Sequence, residues 1–168
     1  LDLAATGTDG TNPRFIIYRN DGGAFVIGAQ PAGVTGPQFG DVAWGDYDND
    51  GDMDIAVNGD DGVGPRFRIY RNDAGTFVLA QEPAGATGPS DGGLAWGDYD
   101  NDGDLDIAVT GGSGGTPRFQ VYRNDSGTFN LTIEPMGPSG LELGGEPAFA
   151  DRSKAANRRP SRAACPPR

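Results

Sequence analysis

The stretch Ala43-Trp44-Gly45-Asp46-Tyr47-Asp48-Asn49-Asp50-Gly51-Asp52 returns letter for letter, 52 residues later, as Ala95-Trp96-Gly97-Asp98-Tyr99-Asp100-Asn101-Asp102-Gly103-Asp104. Outward from it, Pro13-Arg14-Phe15 recurs as Pro65-Arg66-Phe67 and Pro117-Arg118-Phe119, and Tyr18-Arg19-Asn20-Asp21 recurs from Tyr70 and Tyr122. Words of this length at one phase are beyond chance, so the 52-residue repeat is the unit that decides the fold.

Within one unit the pattern predicts four short strands. Val42 to Asp46 reads as the first and, past the acidic loop, Ile55 to Asn58 as the second, followed by a loop from Gly59 to Pro65. On the third strand Phe67, Ile69 and Arg71 alternate with Arg68 and Tyr70. Its apolar face returns as Phe15 with Ile17 and Phe119 with Val121. Asn72-Asp73-Ala74-Gly75 carries turn residues, and Phe77 with Leu79 share one face of the fourth strand. Four antiparallel strands in about 50 residues is the size of one β-propeller blade. The expectation is an all-β chain of about three blades, an incomplete propeller, since a closed ring takes roughly four to eight. A further first strand is traced at Ala148-Phe149-Ala150-Asp151.

The acidic loop that follows each first strand carries the chemistry. Asp46, Asp48, Asp50 and Asp54, and in the copy Asp98, Asp100, Asp102 and Asp106, place hard oxygen donors at loop positions 1, 3, 5 and 9. Calcium takes six to eight oxygens at roughly 2.3 to 2.6 Å, and alternate positions on a tight loop turn their carboxylates to one centre. Gly51 and Gly103 permit the bend, while Asp52 and Asp104, at position 7, offer their carbonyls. All ten aspartates are thus assigned to two Ca2+ sites. A plain acidic turn is the bland alternative, but it needs no such crowding of like charge twice at one phase. Magnesium suits a flexible multi-carboxylate cage poorly, and an EF-hand is longer, with glutamate at position 12.

These words resemble the FG-GAP or VCBS repeat of integrin α-subunit propellers and of many bacterial surface and secreted proteins. The Ala-Trp-Gly-Asp-Tyr-Asp-Asn-Asp-Gly-Asp wording is also similar to cartilage acidic protein propellers. The resemblance spans about residues 1–151 and implies calcium in the hairpin between the first two strands of a blade, with Asp2 the only remnant of the loop preceding the first unit.

Composition agrees with this class. Glycine (29) and proline (13) are abundant, but aromatic and β-branched residues recur among them at fixed positions, so the glycines punctuate strands. All 24 acidic residues precede residue 152, where seven Lys or Arg leave a body charge near −17. Such a surface repels nucleic acid and anionic membranes. No apolar run is long enough to span a bilayer and no leader is visible, any leader being expected upstream of Leu1. Cys165 stands alone, and the lack of histidine removes the usual zinc ligand and general base. After Asp151 the pattern stops inside a motif. The basic Pro/Ala/Arg-rich run 152–168 is read as out of frame in a GC-rich gene, in preference to a disordered tail or a patch for an anionic partner.

Other features have a structural and a functional reading. Trp44 and Trp96 are expected to pack between blades rather than stack on sugars. The repeated arginines 14, 66, 118 and 19, 71, 123 are expected to pair with aspartates. Gly111-x-Ser113-x-Gly115 mimics a nucleophile elbow without a histidine or the strand-to-helix turn that chemistry needs. Asn124-Asp125-Ser126 and Asn130-Leu131-Thr132 are glycosylation sequons. The reading is a calcium-binding, extracellular (secreted or cell-surface) propeller segment, not an enzyme, that acts as a binding or adhesion scaffold for a protein or carbohydrate ligand. Further blades would complete its ring. The alternative is the propeller part of a secreted polysaccharide lyase, or a propeller lectin.

Overall fold

In the computed structural model, residues 1–31, 37–83, 89–113, 116–133 and 147–149 are described. The tail 152–168 with Cys165, the end of the strand traced at Asp151, and Gly114 and Gly115 of the serine motif lie outside them. The described residues form eleven strands and no helix: β1 (Leu3–Thr8), β2 (Pro13–Asp21), β3 (Ala24–Ala29), β4 (Val42–Gly45), β5 (Asp54–Asp60), β6 (Pro65–Asp73), β7 (Thr76–Gln81), β8 (Leu94–Gly97), β9 (Asp106–Ser113), β10 (Thr116–Asp125) and β11 (Thr128–Ile133).

They build three antiparallel sheets, two of four strands (β4-β5-β6-β7 and β8-β9-β10-β11) and one of three (β1-β2-β3). These are the expected propeller blades, with the first strand wanting in the first. The third strand of every blade carries a bulge at the same place, between Ile17 and Tyr18, Ile69 and Tyr70, and Val121 and Tyr122. Strands two and three run further than expected, so the loop between β5 and β6 shrinks to residues 61–64. The hairpin turn is only Ala74-Gly75. Both turn residues have positive φ (51° and 92°), as do Gly22-Gly23 and Ser126-Gly127, the geometry that matches the twist of flanking strands in a two-residue hairpin.

The core lies between the blades. Ala4, Phe15 and Ile17 of the first blade pack on Ile55, Val57 and Tyr70, while Ala56, Phe67 and Ile69 from the other face of the middle sheet pack on Leu94, Ile107, Val109 and Tyr122. The middle sheet is therefore buried on both faces. Tyr70, expected opposite the apolar face of its strand, is itself fully buried, its ring 5.4 Å from that of Phe15, and Tyr122 stands 5.0 Å from Phe67 in the same relation.

Both tryptophans serve packing. Trp44 meets Phe77 edge-on, and the Trp96 indole N–H donates to the carbonyl of Ala43 in the preceding blade. The Trp96 ring lies over Gly45, where an added Cβ would stand 2.8 Å from it. Gly97 is covered in the same way by Phe149, whose ring a Cβ there would meet at 2.5 Å. Phe149 thus takes in the traced first strand the place that tryptophan holds in the complete copies, although residues 147–149 carry no strand pairing. Gly45→Ala is expected to cost about 1–3 kcal/mol, the usual penalty of overpacking, measurable as a lower denaturation midpoint at unchanged slope.

Candidate metal centre

Each acidic loop connects the first strand of a blade to its second, and its own aspartates shape it. The Asp46 carboxylate accepts from the amides of Asp50 and Gly51 (both 3.1 Å), and Asp98 accepts likewise from Asp102 and Gly103. Asn49 and Asn101 (φ 59° and 62°), then Gly51 and Gly103 (φ 95° and 98°), take the left-handed conformations that close the loop, which short polar side chains and glycine tolerate best.

Carboxylate oxygens of Asp46, Asp48 and Asp50 lie within 4.8 Å of one another, and so do those of Asp98, Asp100 and Asp106. Laid over each other by the repeat, the two clusters together comprise loop positions 1, 3, 5 and 9. Asp54 and Asp102 stand just outside their own clusters. Asp54 is fully buried, and burial pushes its carboxyl up to about 6, against the amide hydrogen bonds of Asn72 and Tyr47, with Asp48 and Asp50 adding to the rise. Burial also raises Asp106, where Asp100 and Asp102 add to it. Asp52 and Asp104 belong to neither cluster. The Asp52 side chain instead accepts from the Ala74 amide (3.1 Å), and Asp104 accepts from the Asn49 side chain of the neighbouring blade (3.1 Å).

Position 9 is where the loop joins the rest of the blade. Asp54 accepts from the amides of Tyr47 (3.0 Å) and Asn72 (2.8 Å), and Asp106 from those of Tyr99 and Asn124 (both 2.9 Å). The asparagines close the lock. Asn72 donates through its side chain to the carbonyl of Met53 and accepts from the Gly75 amide. Asn124 donates to Leu105 and also to Tyr47 of the neighbouring blade. Asp2 repeats the arrangement in the first blade, accepting from the Asn20 amide at 2.9 Å. Sequence reasoning treated Asn72 only as a turn residue. The signal was present in the thrice-repeated Tyr-Arg-Asn-Asp, but a partner 18 residues away is invisible to local pattern. Asn124 is fully buried, which closes its sequon to modification in the folded chain, whereas Asn130 is exposed.

A family model described as the FG-GAP-like repeat matches residues 1–57 and again 58–109. The chain belongs to the FG-GAP-like repeat family. No curated protein and no solved structure matches it. The second match has the length of the internal period, so the FG-GAP-like unit and the repeat read from the sequence coincide. Membership and the sheet architecture agree on a propeller-type binding scaffold. The donor set fits a hard cation: it is all oxygen, acidic and held on a preformed loop.

The arginines pair as expected in five of the six repeated positions: Arg14 with Asp9, Arg19 with Asp21, Arg66 with Asp61, Arg71 with Asp73 and Arg123 with Asp125. Most of these pairs are exposed and add little to stability. Asp61 differs, being buried and shared between Arg66 and Arg68 at 2.9 Å each. Burial alone would raise its carboxyl, yet the Val63 amide and the two guanidiniums hold it below the ordinary value. Gly111 to Ser113 ends strand β9, and no helix follows among the described residues, so the serine motif lacks a nucleophile elbow's context. No described helix is long and apolar enough to cross a membrane.

Proposed function

We propose that this chain is a calcium-stabilised segment of an extracellular or cell-surface propeller that serves as a binding or adhesion scaffold for a protein or carbohydrate ligand. The observation that carries the reading is the pair of carboxylate clusters at the same phase of consecutive blades. Without a counter-ion the three carboxylates of each cluster repel one another at close range, and a divalent cation turns that repulsion into a cross-link between the blade's first two strands. Asp46, Asp48, Asp50 and Asp54 would hold one ion, and Asp98, Asp100, Asp102 and Asp106 the other. Asp52 and Asp104 would contribute main-chain oxygen only. A dissociation constant near 10⁻⁴ M, as in extracellular modules, makes the sites responsive to millimolar calcium.

Occupancy at about 1 mM calcium stabilises the folded chain by about 1.4 kcal/mol per site. Addition of a chelator is therefore expected to lower the melting temperature, and calcium to restore it. A melting curve indifferent to both would overturn the proposal. The positions are tested separately. Asp50→Ala is expected to weaken its site at least about tenfold, with the loss of one direct ligand. Asp52→Ala should leave affinity within about twofold while costing about 1 kcal/mol of stability, because the Ala74 amide loses its acceptor. Equal loss of affinity in calorimetric titration of both variants would contradict this division of labour.

A further inference from the structure

The two blade junctions are built from equivalent residues but are filled differently. At the second, Tyr47 from the acidic loop of the middle blade inserts against the next blade. Its ring stacks on Trp96 (centroids 6.4 Å apart, planes at 7°) and meets Phe129 edge-on at 5.3 Å, and its carbonyl accepts from the Asn124 side chain at 2.8 Å. One repeat earlier, the residues that correspond to this seat are Trp44, Phe77, Asn72 and Gly75. They line, with Met53 and Asp2, an open cleft of about 610 Å³ between the first and middle blades. Phenylalanine exposure follows the filling: Phe129, under Tyr47, is 3% exposed, Phe77 is half-buried, and Phe25, in the blade that has no first strand, is 53% exposed. Among the described residues β1 pairs only with β2, so its other edge is open at the positions where β5 receives β4.

We propose that this cleft and the open edge of β1 form one docking surface, whose occupant is an extended segment of the Ala-Trp-Gly-Asp-Tyr-Asp kind. Its strand pairs antiparallel with residues 2–5, as β4 pairs with residues 54–57, and its tyrosine fills the cleft as Tyr47 fills the next one. Main-chain hydrogen bonds to the edge give affinity, and the aromatic pocket gives specificity, the division usual when a strand is added to a sheet. Asp2, already held by the Asn20 amide, stands where position 9 of the incoming loop belongs.

The test uses the whole chain and a synthetic peptide with the sequence of residues 41–52, in calcium-free buffer near 0.15 M salt, so that the outcome does not depend on the calcium sites. Trp44 lines the cleft, so its fluorescence reports occupancy alongside titration calorimetry. Saturable one-to-one binding is expected. The peptide with tyrosine changed to alanine should bind at least about tenfold more weakly and the phenylalanine form within about threefold, since ring burial and not the hydroxyl supplies the affinity. Phe77→Ala in the chain should weaken binding about fivefold or more. The peptide variants need no refolded protein, so the result stands if Phe77→Ala does not fold. Absence of saturable binding up to about 1 mM peptide, or equal binding of the tyrosine and alanine peptides, overturns the proposal. Self-association of the chain that the peptide does not displace would assign the cleft to a second copy and overturn it equally.

Discussion

Tyr47→Ala is expected to destabilise the folded chain by about 3–5 kcal/mol, the range for removing a large buried aromatic ring, while Tyr47→Phe costs less than about 1 kcal/mol. Tyr47 is 4% exposed and touches both Trp96 and Phe129, so its loss opens a cavity at the junction of the middle and last blades. A domain of this size is stable by only about 5–15 kcal/mol, and a loss on that scale shows directly in urea denaturation. The corresponding Tyr99 makes a useful contrast. It is half-buried and its hydroxyl donates to Thr132 at 3.4 Å, so Tyr99→Ala is expected to cost about half as much or less. Equal costs at the two positions would contradict the assignment of the blade junction as core.

Asp106→Ala should be nearly as damaging, by about 3–5 kcal/mol even without calcium, because the amides of Tyr99 and Asn124 lose their shared acceptor. Each donor left buried and unpaired costs about 1–3 kcal/mol. Asp106→Asn separates the structural role from the electrostatic one. Its side-chain oxygen still accepts one of the two amides, and it removes a charge that burial and neighbouring carboxylates disfavour. In chelator it should therefore be at least about 1 kcal/mol more stable than the alanine variant, yet it should lose most of the calcium response of its site. Denaturation of both variants with and without calcium checks the pair. Indistinguishable stabilities in chelator would show that the amide hydrogen bonds contribute little.

The legible parts of this molecule are those that depend on spacing along the chain. The 52-residue phase, the hairpin turns, the strand order and the acidic loops between first and second strands all rest on neighbours a few residues apart, and the structure places them where the pattern predicts. What escaped depends on contacts across blades. Tyr70 reads as the polar-side neighbour of Ile69, and only the presence of Phe15 from the preceding blade makes it core. The side-chain lock of Asn72 and Asn124 on the acidic loops bridges strands one and a half hairpins apart, beyond any local window. Asp52 and Asp104 read as carbonyl donors with idle side chains, yet one ties down the hairpin turn and the other the neighbouring loop. Phe149 stands in for tryptophan over Gly97, a substitution that a search for repeated letters passes over and that packing reveals.

The most direct test of the central claim is a count of bound calcium by equilibrium dialysis at about 1 mM, roughly ten times the expected dissociation constant. The account predicts close to two ions per chain, close to one in Asp46→Ala and in Asp98→Ala, and none in the double variant, with magnesium failing to substitute. Less than half an ion bound by the parent chain, or a count unchanged by both substitutions, would contradict it.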